Sequence, residues 1–356
     1  MTEVMSKISI EKISQSKITE VDFNNIVFGK QFSDHMFVAD YKDGKWSDFK
    51  ILPFGKIEVS PACAALHYGQ AVFEGMKAYK NEQNEVLLFR PLDNAKRLNI
   101  SAKRLCMPEI PEDIFMEGLT QLIKLDSEWV PKTEGSSLYI RPYMFASEQL
   151  LGVRPADEYK FIIFTAPVNS YYAEPVNVKI ETSYSRATEG GVGYAKAAGN
   201  YAAALYPAKL GQDAGYQQLI WTDSVNHEYI EESGTMNVMF HIGDKLITPN
   251  LDFKTTLAGI TRNSVLTLAK DLGITVEERR VSVTEVINAA KEGVLKDVFG
   301  TGTAATIAQV ASITFKDDKY VLPKIEEREL SNKLAKMLQE IKHEKIEDKY
   351  SWIHKI

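Results

Sequence analysis

GGVGYAKAAGNYAAALYPAK, residues 190–209, is the stretch on which the reading of this chain turns. Lys196 sits there among Gly, Ala and Tyr, with no acidic neighbour in the segment. Desolvation disfavours the charged ammonium, and the free amine is the nucleophile that condenses with an aldehyde. The same residues also describe an exposed lysine in a glycine-rich loop. No complete phosphate loop is present, because GxxxxGK[ST] does not occur. The segment gains meaning only from what flanks it.

Upstream, HMFVADYKDGKW places Asp43-Gly44 between apolar-rich arms, a hairpin signal. MKAYKNEQNEVLLFRP reads as a second hairpin, turning at residues 81–84. Pro91 then opens a helix with Leu92, Ala95, Leu98 and Ala102 at helical spacing. EDIFMEGLTQLIKLDSEWV, after Pro111, is a second amphipathic helix, and SLYIRPYMF and YKFIIFTAPV are strands. NSYYAEPVN, 169–177, is turn-rich and serves as the linker between a domain of residues 1–168 and one of 178–356. Downstream, VNVKIETS alternates as a half-buried strand, and NVMFHIGDKLITP is a hairpin turning at Gly243-Asp244. Helices are expected from Thr261 to Leu272 and from Thr284 to Glu292, ended by Gly273 and Gly293. A last helix, Asn332 to His343, should bury Leu334, Met337, Leu338 and Ile341. Without a clean βαβ alternation a doubly wound parallel sheet is disfavoured, and the class is α+β.

The chain's 356 residues suit two domains, and a composition 44% hydrophobic and 25% charged argues against disorder. Net charge is −6 with no long basic stretch, so nucleic acid is not an expected partner. Cys63 and Cys106 stand far apart, as free thiols of a reducing compartment do. The opening residues carry no apolar leader and no stretch is long and apolar enough for a bilayer, so no membrane partner and a cytoplasmic location are expected. The six histidines show neither HxxxH nor HExxH spacing, which disfavours a metal-dependent hydrolase and any metal site.

Three further segments could carry chemistry. YIEESGTMNVMF, 229–240, runs two acids and a Ser-Gly-Thr into a strand, although such acids are usually solvated turn residues. In LAGITRNSV, Gly259-Ile260-Thr261 open a helix whose free amides and dipole favour a phosphate, or are a plain helix start. VFGTGTAATIAQV, with Gly300 to Ala305, lets backbone amides approach a ligand.

Taken in order, FEGMKAY, YIRP, GYAKAAGNYAAAL, EESGTMNV, GITRNSV and GTGTAA resemble the fold-type IV pyridoxal-phosphate enzymes, most closely the branched-chain aminotransferases. The resemblance runs from about Phe28 to Trp352. It implies a smaller N-terminal domain, a larger C-terminal one and a cofactor, pyridoxal 5′-phosphate, at their interface. It also implies ping-pong exchange of the amino group between leucine, isoleucine or valine and glutamate, through small-molecule amino and 2-oxo acids, in a homodimer.

The resemblance assigns roles by position. Lys196 matches the lysine that condenses with the cofactor's aldehyde and later carries the proton. Glu232, not Glu231, matches the acid on the pyridine nitrogen, and Tyr201 the tyrosine on the phenolic oxygen. Arg97 matches the phosphate-binding arginine, joined by Ile260, Thr261 and Thr303. Phe28, Tyr68, Phe73 and Tyr139 match the lining of an apolar substrate pocket, though each aromatic could equally be ordinary core. The amides of Thr303 and Ala304 match the site for the substrate α-carboxylate. Arg141 matches the arginine that accepts the side-chain carboxylate of glutamate. Val153 and Tyr171 match positions near the pocket, Val153 reaching it from a partner subunit. One departure is plain: mammalian members carry a redox-sensing CxxC after the glycine turn, where this chain has Ala305-Thr306-Ile307-Ala308.

D-amino-acid aminotransferase and aminodeoxychorismate lyase share the lysine and acid, so FEGMKAY, YIRP and the aromatic set decide for the branched-chain reading. A non-catalytic phosphate- or nucleotide-binding protein would explain the glycine turns but gives Lys196, Tyr201 and Glu232 no joint purpose.

Overall fold

The computed structural model describes residues 8–23, 25–133, 135–169 and 174–356. They fall into two compact units. One comprises the residues before 172 together with Ala195–Gly199 and Ile341–Ile356; the other comprises those after it to Tyr194, and Asn200–Glu340. The division read from sequence kept both short stretches with the second half. They join the first unit because Ala197 bridges Val72 and strand Ile353–Lys355 pairs with Val86–Phe89, pairings across more than a hundred residues that leave no local signal.

The first unit is built on a sheet that runs Ser9–Ile10, Lys45–Pro53, His35–Lys42, Tyr159–Val168, Ser137–Ala146, Met76–Lys80, Val86–Phe89 and Ile353–Lys355, with Ala71–Phe73 also on Ser137–Ala146. Only Ser9–Ile10 pairs in parallel. Both expected hairpins form, the first turning through Asp43 and Gly44, each at positive φ (51° and 75°). Helices Pro91–Arg104 and Glu112–Leu125 supply Ala95, Leu98, Ala102, Phe115, Leu119 and Leu122 to the core, at the i, i+3, i+4 spacing of one helix face. Leu92, read as part of that face, stays 44% exposed.

Strand alternation sets up the functional face. Along Ser137–Ala146, Leu138, Ile140 and Met144 enter the core. Tyr139, Arg141 and Tyr143 therefore point to the other side.

The second unit's sheet runs Thr275–Arg279, Lys245–Pro249, Asn237–Ile242, Leu295–Gly302, Thr306–Phe315, Val176–Ile180, Gln218–Thr222, Tyr229–Ser233 and Val281–Ser282, with Asp318–Val321 on Thr306–Phe315. It mixes parallel and antiparallel pairs, so both sheets bear out the α+β reading. Helices Ile260–Asp271 and Val283–Lys291 lie within one residue of the bounds read from sequence. Gly273 and Gly293 follow them at positive φ, where a Cβ would be strained (77° and 70°). Ser282 caps Val283–Lys291 by accepting Glu285 N–H at 3.0 Å. The helix Glu329–Lys342 begins three residues earlier than expected; Leu334, Leu338 and Ile341 are buried, while Met337 is half-buried. No described helix is long and apolar enough to cross a membrane.

Candidate active site

Lys196 is held by partners far from it in sequence. Its backbone N–H donates to Ser101 Oγ at 2.9 Å, and its carbonyl accepts Phe73 N–H at 3.1 Å. Ser101, fully buried in helix Pro91–Arg104, donates in turn to the Arg97 carbonyl at 3.0 Å. With Ala197 bridged to Val72, the backbone is pinned on both sides of the lysine. The side chain is half-buried, and Nζ lies 4.8 Å from the centre of the Phe73 ring, in cation–π range.

Around that amine the structure gathers four of the expected substrate residues. The Arg141 guanidinium lies 4.7 Å from the Phe73 ring centre and 5.3 Å from that of Tyr139. Arg141 Nη2 donates to the Tyr139 hydroxyl at 3.0 Å. Phe28 meets Tyr139 edge-on at 5.4 Å. Gly75 is required here: a Cβ on it would sit 2.2 Å from the Tyr139 hydroxyl, so the tyrosine lies directly over bare backbone. The result is an aromatic box with a cation in its wall, able to accept an aliphatic group or an anion.

Arg97 is buried, and its fork faces Glu74, Nε donating to Oε1 at 2.7 Å and Nη2 to Oε2 at 2.9 Å. Glu74 is fully buried and also accepts Gly75 N–H at 3.2 Å. Two charges out of water survive only with such two-point pairing, and removal of either strands the other.

In the second unit, Glu232 is the organising acid. Its Oε1 accepts Leu257 N–H at 2.7 Å and the Asn237 amide at 3.4 Å, and its Oε2 lies 3.1 Å from Arg186 Nε. Asn237 Nδ2 also donates to the Leu257 carbonyl at 2.9 Å, and its Oδ1 packs where a Cβ of Gly259 would stand, 1.9 Å away. Gly259 is the N-cap of the helix that starts with Ile260 and Thr261, a position where it offers no side chain of its own. The acid and the segment that leads into this helix N-terminus are thus tied through one asparagine. Asn237 pairs with Thr301 across the sheet, and the turn that follows carries half-buried Thr303 and Ala304. Tyr201 is half-buried near the start of helix Ala198–Asp213, which the sequence reading had not assigned.

Glu231 behaves differently from its neighbour. Successive strand residues face opposite ways, and Glu231 lines a small cavity with Asp223, Phe253, Thr255 and Arg280. Burial raises its pKa, against a Thr255 hydrogen bond that lowers it, which favours the neutral acid.

Not every expected residue joins these groups. Tyr68, at the end of the short helix Ala64–Tyr68, is 42% exposed and contacts His67; Val153 is 92% exposed on a loop. Tyr171 lies outside the described residues. Ser101, Glu74, Gly75, Asn237 and Arg186 were not singled out from sequence. Glu74 and Gly75 stand inside FEGMKAY and Asn237 inside EESGTMNV, while Ser101 is one helical turn from Arg97. Lys77, also inside FEGMKAY, pairs with Tyr139 across the sheet, and burial lowers its pKa to about 8.

Comparison with known proteins agrees across the chain. The family described as Amino-transferase class IV matches residues 71–313, which contain every motif from FEGMKAY to GTGTAA. A Staphylococcus epidermidis protein named "Probable branched-chain-amino-acid aminotransferase" is 46% identical over 351 residues, covering 97% of each chain. The branched-chain amino acid aminotransferase of Escherichia coli superposes with a TM-score of 0.72 at 28% identity, covering 90% of this chain and 98% of its own. The fold is shared with that of the branched-chain aminotransferase from the thermophilic archaeon Thermoproteus uzoniensis with norvaline, at a TM-score of 0.75 and 25% identity, covering 90% and 99%.

Proposed function

The chain belongs to the class IV aminotransferases, and from that premise we infer that it exchanges the amino group between leucine, isoleucine or valine and 2-oxoglutarate, using bound pyridoxal 5′-phosphate. One observation carries the reading: Lys196 Nζ lies 4.8 Å from the Phe73 ring, and that same ring is 4.7 Å from the Arg141 guanidinium. A pinned amine thus stands beside a box that suits a branched aliphatic group and, through its arginine, a second carboxylate. The names of the relatives, and the aliphatic amino acid norvaline in the Thermoproteus uzoniensis structure, support the same substrate class.

The donor set fits that cofactor. A buried carboxylate suits a ring nitrogen, a helix N-terminus that opens on glycine suits a phosphate, and a lysine suits an aldehyde. When bound, pyridoxal phosphate supplies the aldehyde that takes up the amino group and the ring that accepts electrons released at the substrate α-carbon.

The protein's part is then positional and protonic. Lys196 Nζ takes the proton from the substrate α-carbon, and its backbone anchors keep the amine in reach. Glu232 holds the ring nitrogen protonated, and Tyr201 donates to the phenolic oxygen. Arg97, the amides of Ile260 and Thr261, and Thr303 hold the phosphate. Phe28, Phe73 and Tyr139 exclude water from an aliphatic side chain, Arg141 receives the side-chain carboxylate of glutamate, and the Thr303 and Ala304 amides receive the α-carboxylate. Tyr68, Val153 and Tyr171 keep their pocket roles on the resemblance alone. The same reading makes the protein a cytoplasmic homodimer, in which exposed Val153 meets the partner.

The test is turnover of purified protein with L-leucine and 2-oxoglutarate, followed as glutamate formed. Activity with L-leucine and none with D-leucine supports the reading. Turnover confined to D-amino acids would replace it with D-amino-acid aminotransferase chemistry.

A further inference from the structure

Arg186 stands ten residues before Lys196 in the sequence and carries no role in the reading above. Its side chain is 9% exposed, and its Nε lies 3.1 Å from Oε2 of Glu232, itself 5% exposed. Nη2 donates to the Thr255 carbonyl and, at 3.4 Å, to the Gly193 carbonyl. Gly193 admits nothing larger, because a Cβ there would lie 2.5 Å from the Thr255 oxygen. The guanidinium therefore clamps two backbone segments together and presents its remaining edge to the acid.

That edge has a particular character. Although Nε and Oε2 are close, the Nε–H is not aligned on the oxygen and forms no hydrogen bond. The pair is coupled by charge at short range rather than by a directed bond. Coulomb attraction between buried charges is far stronger than in water, whatever the bond angle. A second arginine, Arg262, is also near enough to act on Glu232, but its Nη2 is committed to Glu278 at 3.0 Å and to the Pro249 carbonyl at 2.9 Å. Of the two arginines, Arg186 is the one in direct contact with the acid.

We propose that Arg186 is a positioning residue whose positive charge keeps Glu232 ionised and aimed, so that Glu232 rather than a neutral carboxyl meets the pyridine nitrogen. This rests on the proposed role of Glu232. Burial favours the neutral form of a carboxyl group, and a cation in contact with it favours the charged form. A protonated Glu232 could no longer stabilise a pyridinium. Arg186 contributes charge without claiming a directed lone pair of Oε2.

The test compares binding of pyridoxal phosphate with binding of 1-deazapyridoxal phosphate, which lacks the ring nitrogen, by absorbance titration of apoprotein. Two variants separate charge from shape: Arg186→Gln removes the charge but keeps an N–H donor for the carbonyls, and Arg186→Lys keeps the charge but loses the fork. The wild-type preference for pyridoxal phosphate should fall about tenfold in Arg186→Gln, as it does in Glu232→Gln, and survive largely intact in Arg186→Lys. Equal weakening of both compounds in Arg186→Gln, with the preference preserved, would make Arg186 a structural clamp only and overturn the proposal. Loss of preference in Arg186→Lys but not Arg186→Gln would overturn it as well. Should Glu232→Gln leave the preference unchanged, the assignment of Glu232 falls first and this proposal with it.

Discussion

Ser101 Oγ accepts the backbone N–H of Lys196 at 2.9 Å, so a helix residue fixes the candidate nucleophile from 95 positions away. The same hydroxyl donates to the Arg97 carbonyl, which joins the phosphate-binding candidate and the lysine through one side chain.

Ser101→Ala removes the Oγ that accepts this N–H, at a cost of about 0.5–1.5 kcal/mol. The expected outcome is a lower urea midpoint together with a fall in kcat larger than the change in KM, since the lysine loses its anchor. Unchanged kcat in a stably folded variant would show that the anchor is dispensable.

The Arg97–Glu74 pair predicts a sharper result. Glu74→Ala leaves a buried guanidinium without its two-point partner, and breaking such a pair costs about 3–5 kcal/mol. Cofactor affinity should fall along with stability, because the fork is no longer oriented. Glu74→Gln, which keeps one acceptor, should retain more of both, as read by thermal melting and cofactor titration.

Gly75 tests the substrate box without replacing any of its side chains. Gly75→Ala pushes the Tyr139 hydroxyl from a position 2.2 Å from the new methyl and breaks its bond to Arg141. We expect KM for 2-oxoglutarate to rise more than KM for L-leucine. Arg141→Ala should show the same bias more strongly, and equal losses for both substrates would remove the dual-purpose box.

Lys342 gives a pH prediction. Burial, with repulsion from Lys77, lowers its pKa to about 7, beside the rings of Tyr79 and Phe89. The unfolded lysine keeps its ordinary, higher value, so between about pH 7 and that value the unfolded chain binds the extra proton and stability rises with pH. Below pH 7 both states are protonated and the full cost of a buried charge is present. Lys342→Met should therefore lose up to about 1.4 kcal/mol per pH unit of slope in that window relative to wild type. Its stability relative to wild type should be greatest at about pH 6, by urea melts at about pH 6 and 9.

What could be read in advance followed local chemistry. Asp43-Gly44, Gly243, Gly273 and Gly293 marked turns because only a few residues tolerate positive φ. The two helices of the first unit were legible from their apolar spacing. Helix Ala198–Asp213 was not: it buries only Asn200, Pro207 and Gly211 and holds a proline, so it has no apolar stripe to see. The bridge of Val72 to Ala197, the Glu74–Arg97 fork and the Arg186–Glu232 pair are meetings of residues far apart in the chain. Nothing in a local window announces them, and motif order alone pointed to the region where they occur.

On the proposed function, Lys196 holds a pyridoxal aldehyde that accepts the amino group of L-leucine. The most direct measurement is the visible absorption spectrum of the purified protein during addition of L-leucine and then 2-oxoglutarate. A yellow band that bleaches with L-leucine, returns with 2-oxoglutarate and is lost in Lys196→Ala is the predicted result. A protein that shows no band after pyridoxal phosphate is supplied, or the same band in Lys196→Ala, would contradict the claim.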